Sequence, residues 1–254
     1  MSARGWRLRE IAVWVLVIAV WEGLLVIIEV PTYVVPSPSG VVRAFVSDIG
    51  WIASHSLVTA GEIAAGLGIA VALAIPLAVI LVSVPLFRRA VYPLMVFAQA
   101  APKEALAPLF IMWFGFSMLP KVLLAAVISF FPVLVSTTVG LERFDENLSR
   151  LARSIGASRM KTLLSFRMWV ALPSFFGGLR LGVTLAAVGA VIGEFLGSDN
   201  GIGYLVLNAS RRLDGEMLYA SLIILVILVL GLVWLVDATE ERLLRGAGRG
   251  ATAT

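Results

Sequence analysis

The chain has 254 residues, 60% of them hydrophobic and 14% charged, with a mean hydropathy of +0.99. Soluble domains run at roughly 45–50% apolar and about 25% charged, so the composition is that of a membrane protein. No cysteine is present and His55 is the only histidine, which excludes disulfides, thiolate metal sites and a histidine-built zinc or iron centre, and the net charge of +4 reads as the basic surplus of cytoplasmic membrane loops rather than a nucleic-acid surface.

A spanning helix needs ~20 mainly apolar residues. Arg4, Arg7 and Arg9 precede a first apolar run at 11–30, which leads into Pro31-Thr32-Tyr33 with no small-residue cleavage site, so it reads as a retained helix rather than a signal peptide. Residues 31–57, with Pro31, Pro36, Pro38 and Gly40, form a predicted loop. Further spans are predicted at 58–83, 91–114, 119–140, 174–197 and 217–237, joined by turns at 84–90 and 115–118, a long segment at 141–173 and a loop at 198–216. At these lengths only a helix satisfies its own backbone in lipid. The expectation is an all-α membrane protein of six transmembrane helices in a single domain over residues 1–254.

Ionisable residues inside spans are expensive and point to function; here they are Glu22, Glu62, Lys103, Glu104 and Glu194. Lys103 and Glu104 lie between Pro102 and Pro108, where the third span should break or kink, and a broken helix at membrane depth is tolerated when it is buried or lines a cavity. The fifth span carries small residues at Gly178, Gly182, Ala186, Gly189, Gly193 and Gly197, mostly four apart, a stripe against which another backbone can approach closely. Its two readings are packing within one chain and the lining of a two-fold contact or translocation path. Lys103, Glu104, Gly189, Gly193 and Glu194 are the candidate path residues.

Of the 20 basic residues, fifteen fall on one side of these spans and four on the other (Arg43, Lys121, Arg211 and Arg212), with Lys103 inside a helix. An even number of spans then places both termini in the cytoplasm. The segment at 141–173 is the only long cytoplasmic loop. Its apolar residues Leu148, Leu151, Ile155, Met160, Leu163, Leu164 and Phe166 recur at about helical spacing around Gly156, which predicts two short amphipathic helices with a turn between them. Such a pair either lies on anionic headgroups or docks a cytoplasmic partner, and periodicity does not choose between the two.

No glycine is followed by lysine, so the chain has no phosphate loop and is not expected to hydrolyse ATP; it carries no other catalytic box, no metal site and no cofactor site. Ser158-Arg159-Met160-Lys161 and Ser198-Asp199-Asn200 match two boxes of penicillin-recognising serine enzymes, but the charge asymmetry puts them on opposite sides of the membrane and the third box is absent. The external loops are too small to form a solute-binding domain.

Residues 150–173 resemble the cytoplasmic signature of binding-protein-dependent ABC importer permeases, in which Glu-Ala-Ala is followed by three residues, a Gly, nine residues and Ile-x-Leu-Pro. Arg150-Leu151-Ala152 stands at the Glu-Ala-Ala positions and Gly156 at the glycine, while Phe166, Met168 and Trp169 occupy the Ile, Leu and Pro positions; Leu172-Pro173 follows. Ala107-Pro108-Leu109, Trp113-Phe114-Gly115, the run from Pro173 through Gly178-Leu179-Arg180, Gly189 to Phe195 and Gly201-Ile202-Gly203-Tyr204-Leu205 resemble the nitrate/sulfonate/taurine-type subfamily over about 55–245.

The resemblance implies a type I ABC importer permease in the bacterial cytoplasmic (inner) membrane. It implies two ATP-binding cassette subunits beneath, a periplasmic or lipid-anchored solute-binding protein above, and a second permease copy in a homodimer, the expected form, or a heterodimer. Leu151, Ala152, Arg153, Ile155, Gly156 and Ala157 would make the contact with the ATPase. Solutes of the subfamily are nitrate, sulfonates, taurine or heterocyclic vitamin precursors. The alternative from another class is a stand-alone ion-coupled carrier or channel, which would need no cytoplasmic partner.

Overall fold

The computed structural model describes residues 3–144, 150–152, 154 and 156–250. Among these, every regular element is helical. In chain order they are α1 (Ala3–Ile28), α2 (Pro38–Ser47), α3 (Ile49–Ser83), α4 (Pro85–Ala100), a 3₁₀ turn (Lys103–Leu106), α5 (Ala107–Phe114), α6 (Met118–Glu142), α7 (Arg159–Thr162), a π-helical turn (Leu163–Arg167), α8 (Met168–Gly197), α9 (Ile202–Arg211) and α10 (Gly215–Gly250).

Among the described residues, four helical runs are long and apolar enough to cross a membrane: Ile49–Ser83, Met118–Glu142, Met160–Gly197 and Gly215–Arg245. Pro85–Ala100 and Lys103–Phe114 make a fifth if the pair counts as one span, bent by 85° at the break expected between Pro102 and Pro108. α1, at Ala3–Ile28, covers most of the run expected at 11–30 and carries an apolar stretch at Val13–Leu25.

Several segments expected as loops hold helices. Within 31–57, α2 starts because Ser37 Oγ accepts a hydrogen bond from the Gly40 N–H at 3.1 Å, with Pro38 in the first turn. Proline is favoured there, since the missing N–H would have no partner anyway. The 84–90 turn shrinks to one residue between α3 and α4, and 198–216 contains α9. The second half of 141–173 does not form a separate short helix: α7 runs through the π turn into α8, and Pro173 lies inside α8. Proline is tolerated in such a helix where neighbouring helices re-satisfy the freed backbone.

The chain divides into two compact units. The first comprises Met1–Val58 and Asn200–Val226, with a core of Ile52, Leu205, Ala209 and Met217. In it the buried His55 accepts a hydrogen bond at Nδ1 from the Gly201 N–H, 2.9 Å away, and its ring stacks on Tyr204. The second unit comprises Thr59–Asp199 and Ile227–Thr254, and its largest core cluster joins Ala74, Ala78 and Leu81 of α3 to Val133, Leu134 and Leu141 of α6 and Ala171 of α8.

In the second unit α6 and α8 pack backbone against backbone. A Cβ built on Gly189 would stand 2.7 Å from the Ala125 backbone, one on Gly193 would stand 3.0 Å from Lys121 Cα, and one on Gly178 would stand 2.9 Å from the Pro132 carbonyl oxygen. The glycine stripe therefore makes its close contact within the chain, against α6. Lipid supplies no hydrophobic drive between helices, so the dispersion contact that such closeness permits holds the pair together.

Because backbone atoms at Ala125 cannot rotate away, Gly189→Ala is expected to destabilise the purified protein by about 1–3 kcal/mol. Gly177→Ala, at a position with no atom within 4 Å of the added Cβ, should leave stability unchanged or slightly raised. Thermal melts in one detergent compare the two, and equal midpoints would remove the seam from the account of stability.

Candidate functional site

The segment between α6 and α8 is built around a two-sided cap. Residues 150–152 and 154 are helical, and the Ala157 N–H donates to the Ala152 carbonyl at 3.0 Å. That bond closes a Schellman turn in which Gly156, at φ +73°, occupies the left-handed position that side chains disfavour. Two residues later Ser158 starts the next helix: its Oγ accepts from the Lys161 N–H at 3.2 Å and its carbonyl from the Thr162 N–H at 2.8 Å. Of the predicted coupling residues, Ala152 is buried, Ala157 half-buried and Gly156 exposed, while Arg153 and Ile155 lie outside the described residues. Leu151 and Met160, on the two sides of the turn, are 60% and 63% exposed. A cytoplasmic docking surface needs such apolar side chains held by capped backbone.

In the broken third span, Lys103 is half-buried and Glu104 exposed. The Lys103 Nζ donates to the Gln99 carbonyl at 3.0 Å and stands 5.4 Å from the centre of the Phe131 ring on α6. Its ammonium thus caps the C-terminal end of α4, where the helix dipole favours a cation.

Gly189, Gly193 and Glu194, the other candidate path residues, are all buried in this conformation. Glu194 belongs to a polar cluster at one end of the second unit. Lys121 Nζ sits 2.7 Å from Glu62 Oε1 and donates to Ser198 Oγ at 2.8 Å. The Thr59 hydroxyl donates to Glu194 Oε1 at 2.6 Å. Both glutamates are fully buried and Lys121 is 8% exposed. Charge inside a span singled out Glu62 and Glu194; Lys121, Thr59 and Ser198 were missed because their positions read as loop or helix end. Near the middle of α8, Arg180 donates to Asp237 and Glu240 of α10.

Residues 64–247 match the family described as the inner membrane component of binding-protein-dependent transport systems, and the chain belongs to it. It is a multi-pass protein of the inner membrane. It is 35% identical over 218 residues to a formylaminopyrimidine transport permease protein of Halalkalibacterium halodurans, covering 85% of this chain and 86% of that one. A riboflavin transport system permease protein of Chloroflexus aurantiacus is 33% identical over 91% of this chain and 87% of its own. A putative aliphatic sulfonates transport permease protein of Bacillus subtilis is 28% identical over 87% of this chain and 80% of its own. The chain is thus an ABC permease of the sulfonate/taurine type.

Replacing Lys103 by Met removes the α4 cap and the ring contact, and is expected to lower stability by about 1 kcal/mol, whereas Lys103→Arg keeps both. Unfolding midpoints of the two variants in detergent check this, and a Met variant as stable as the wild type would leave the cap without energetic weight.

Proposed function

We propose that this chain forms the membrane path of an ATP-driven importer for a small solute of the sulfonate, taurine or heterocyclic vitamin-precursor classes. It crosses the membrane six times with both termini cytoplasmic, pairs with a second permease copy, and receives its solute from a separate binding protein. Separate ATP-binding subunits supply the energy and dock on the segment around Gly156, where Leu151, Ala152, Arg153, Ile155 and Ala157 complete the contact. The path runs beside the broken span at Lys103 and Glu104, while Gly189, Gly193 and Glu194 set the position of its wall through α6.

The observation that carries this reading is the capped turn at Gly156, which holds Leu151 and Met160 out of the chain's own core. Apolar side chains so exposed, in a segment rich in arginine, suit a partner with a hydrophobic groove and acidic rim. Coupling then follows from differential contact: a partner that grips this turn differently in its open and closed states biases the permease between its own two states. Subfamily membership and the relatives' names support the solute classes, and two relatives at 35% and 33% identity are named for heterocyclic compounds.

Leu151→Asp and Met160→Asp place a charge on the docking surface without touching the fold, and Gly156→Asn keeps a residue that tolerates positive φ. The Asp variants should insert at wild-type levels, lose co-purification of the ATPase, and cut solute-stimulated ATP hydrolysis at least about tenfold, a loss of ~1.4 kcal/mol. Gly156→Asn should retain most activity. Full ATP-dependent uptake in liposomes by both Asp variants would refute the docking role, and ATP-independent uptake by the chain alone would favour a carrier or channel.

A further inference from the structure

The turn between α9 and α10, in the first unit, holds an apolar side chain where glycine is the usual choice. The Asp214 N–H donates to the Ala209 carbonyl at 2.9 Å and the Leu213 N–H to the Ser210 carbonyl at 3.1 Å, the paired bonds of a Schellman cap at the end of α9. Leu213 takes the left-handed position of that cap, at φ +56°. A β-carbon is disfavoured there, so leucine costs stability that glycine would not. Burial does not offset that cost, because Leu213 is 66% exposed. Glu29, which follows α1 at φ +53°, is polar, so its exposure calls for no partner.

The surroundings hold the turn in this shape. Asp214 closes the α9 cap and also opens α10, its Oδ1 accepting from the Met217 N–H at 3.0 Å. Next to it Gly215 lies against the chain that follows α1: a Cβ there would collide with the Thr32 carbonyl oxygen and stand 3.2 Å from Tyr33 Cα. Beneath the turn, Ala209 and Met217 share a buried core with Ile52 and Leu205. A strained residue persists only where its surroundings over-determine it, and such residues gather at binding surfaces. Here the backbone fixes the direction of an exposed leucine, and the exposed Arg211 and Arg212 precede it in the chain.

We propose that Leu213 is the apolar anchor, and Arg211 and Arg212 the cationic rim, of the surface on which the external solute-binding protein docks, that partner presenting a small hydrophobic pocket edged by acidic groups. The proposal rests on the topology proposed above, which puts the α9–α10 turn outside. A bilayer is the other apolar and anionic neighbour open to this turn. Lipid, however, adapts to any apolar residue and sets no demand on backbone direction, whereas a shaped pocket does. An anchor already held in its bound orientation loses little freedom on docking. The arginines act earlier, by steering the approach of an acidic face.

Leu213→Gly separates the anchor from the fold, because it removes the side chain and the strain together. The permease would be assembled with its ATP-binding subunits in lipid nanodiscs, and binding measured for the solute-binding protein that stimulates ATP hydrolysis by the complex. Leu213→Gly should melt at or above the wild-type midpoint yet bind at least about tenfold more weakly, while Leu213→Met keeps most of the affinity. Arg211→Gln combined with Arg212→Gln should slow association and flatten its dependence on salt, with dissociation little changed. The chain has no cysteine, so Leu213→Cys gives a single labelling position. A membrane-impermeant maleimide should reach it from outside. An environment-sensitive dye there should report water in nanodiscs alone and an apolar surrounding once the binding protein is added. Wild-type affinity in Leu213→Gly, a Gly variant melting more than about 4 °C below wild type, or a dye in an apolar surrounding before the binding protein is added would overturn the anchor and leave the importer reading standing. Labelling only from the cytoplasmic side, or no binding protein that stimulates the complex, would overturn that reading and the anchor with it.

Discussion

In the second unit, everything else is arranged around the approach of α8 to α6. Water drives soluble helices together, but in lipid the two helices must gain more from each other than from acyl chains, and only close, extensive contact achieves that. Glycines at 178, 189 and 193 remove the side chains that would hold the backbones apart. The α8 glycines press on Pro132, Ala125 and Lys121 of α6, positions spread along that helix, so the seam is continuous rather than a single crossing point. Core residues of α3 then close over the paired helices, with Ala74 and Ala78 fully buried where bulk would not fit.

That seam also makes the buried charges possible. At Gly193 the α8 backbone lies against the aliphatic stem of Lys121, so the stem is desolvated along its length and the ammonium emerges among Glu62 and Ser198. A lysine with no such wall would turn its head to the membrane surface. Buried polar groups need partners within the protein, and the hydroxyls of Thr59 and Ser198 join the same network. The small-residue stripe and the charged cluster are therefore one construction.

How far this was legible in the sequence depends on which physical quantity the residues report. Burial cost marked Glu62 and Glu194, because a charge in an apolar run has few explanations. Lys121 escaped the same logic: it stands near the start of a span and was counted with the loop cations, since linear position does not say whether a long side chain turns outward or back. The stripe announced a close neighbour, but spacing on one helix cannot name the helix that meets it. Proline misled in two ways. At Pro38 it was read as a loop residue where it opens α2, and at Pro173 it helped place a boundary in what is one continuous helix. The turn at Gly156 was legible, because a glycine between two apolar periodicities reports backbone conformation directly, but the short helix expected after it is the start of the run into α8. Ser158 and Ser198, which match two boxes of a serine enzyme, have structural employment instead: one caps a helix and the other accepts from Lys121.

Those two serines flank a helical run that begins beside the capped turn and ends beside the charged cluster. The run from Met160 to Gly197 has 38 residues, so at ~1.5 Å per residue it reaches roughly 55 Å, more than the hydrocarbon thickness of a bilayer. A helix so long transmits a displacement of one end to the other only if it does not bend between them, and bends have identifiable causes. Its two irregularities, the π turn at Leu163–Arg167 and Pro173, both lie in the first half, near the Gly156 end. From Gly178 onward the run lies against α6 and, at Arg180, is tied to Asp237 and Glu240 of α10. Movement at the Gly156 turn therefore meets a compliant stretch first and a clamped one after it. The Glu62–Lys121–Glu194 cluster sits at the clamped end, where small shifts of α8 against α6 change hydrogen-bond distances most directly.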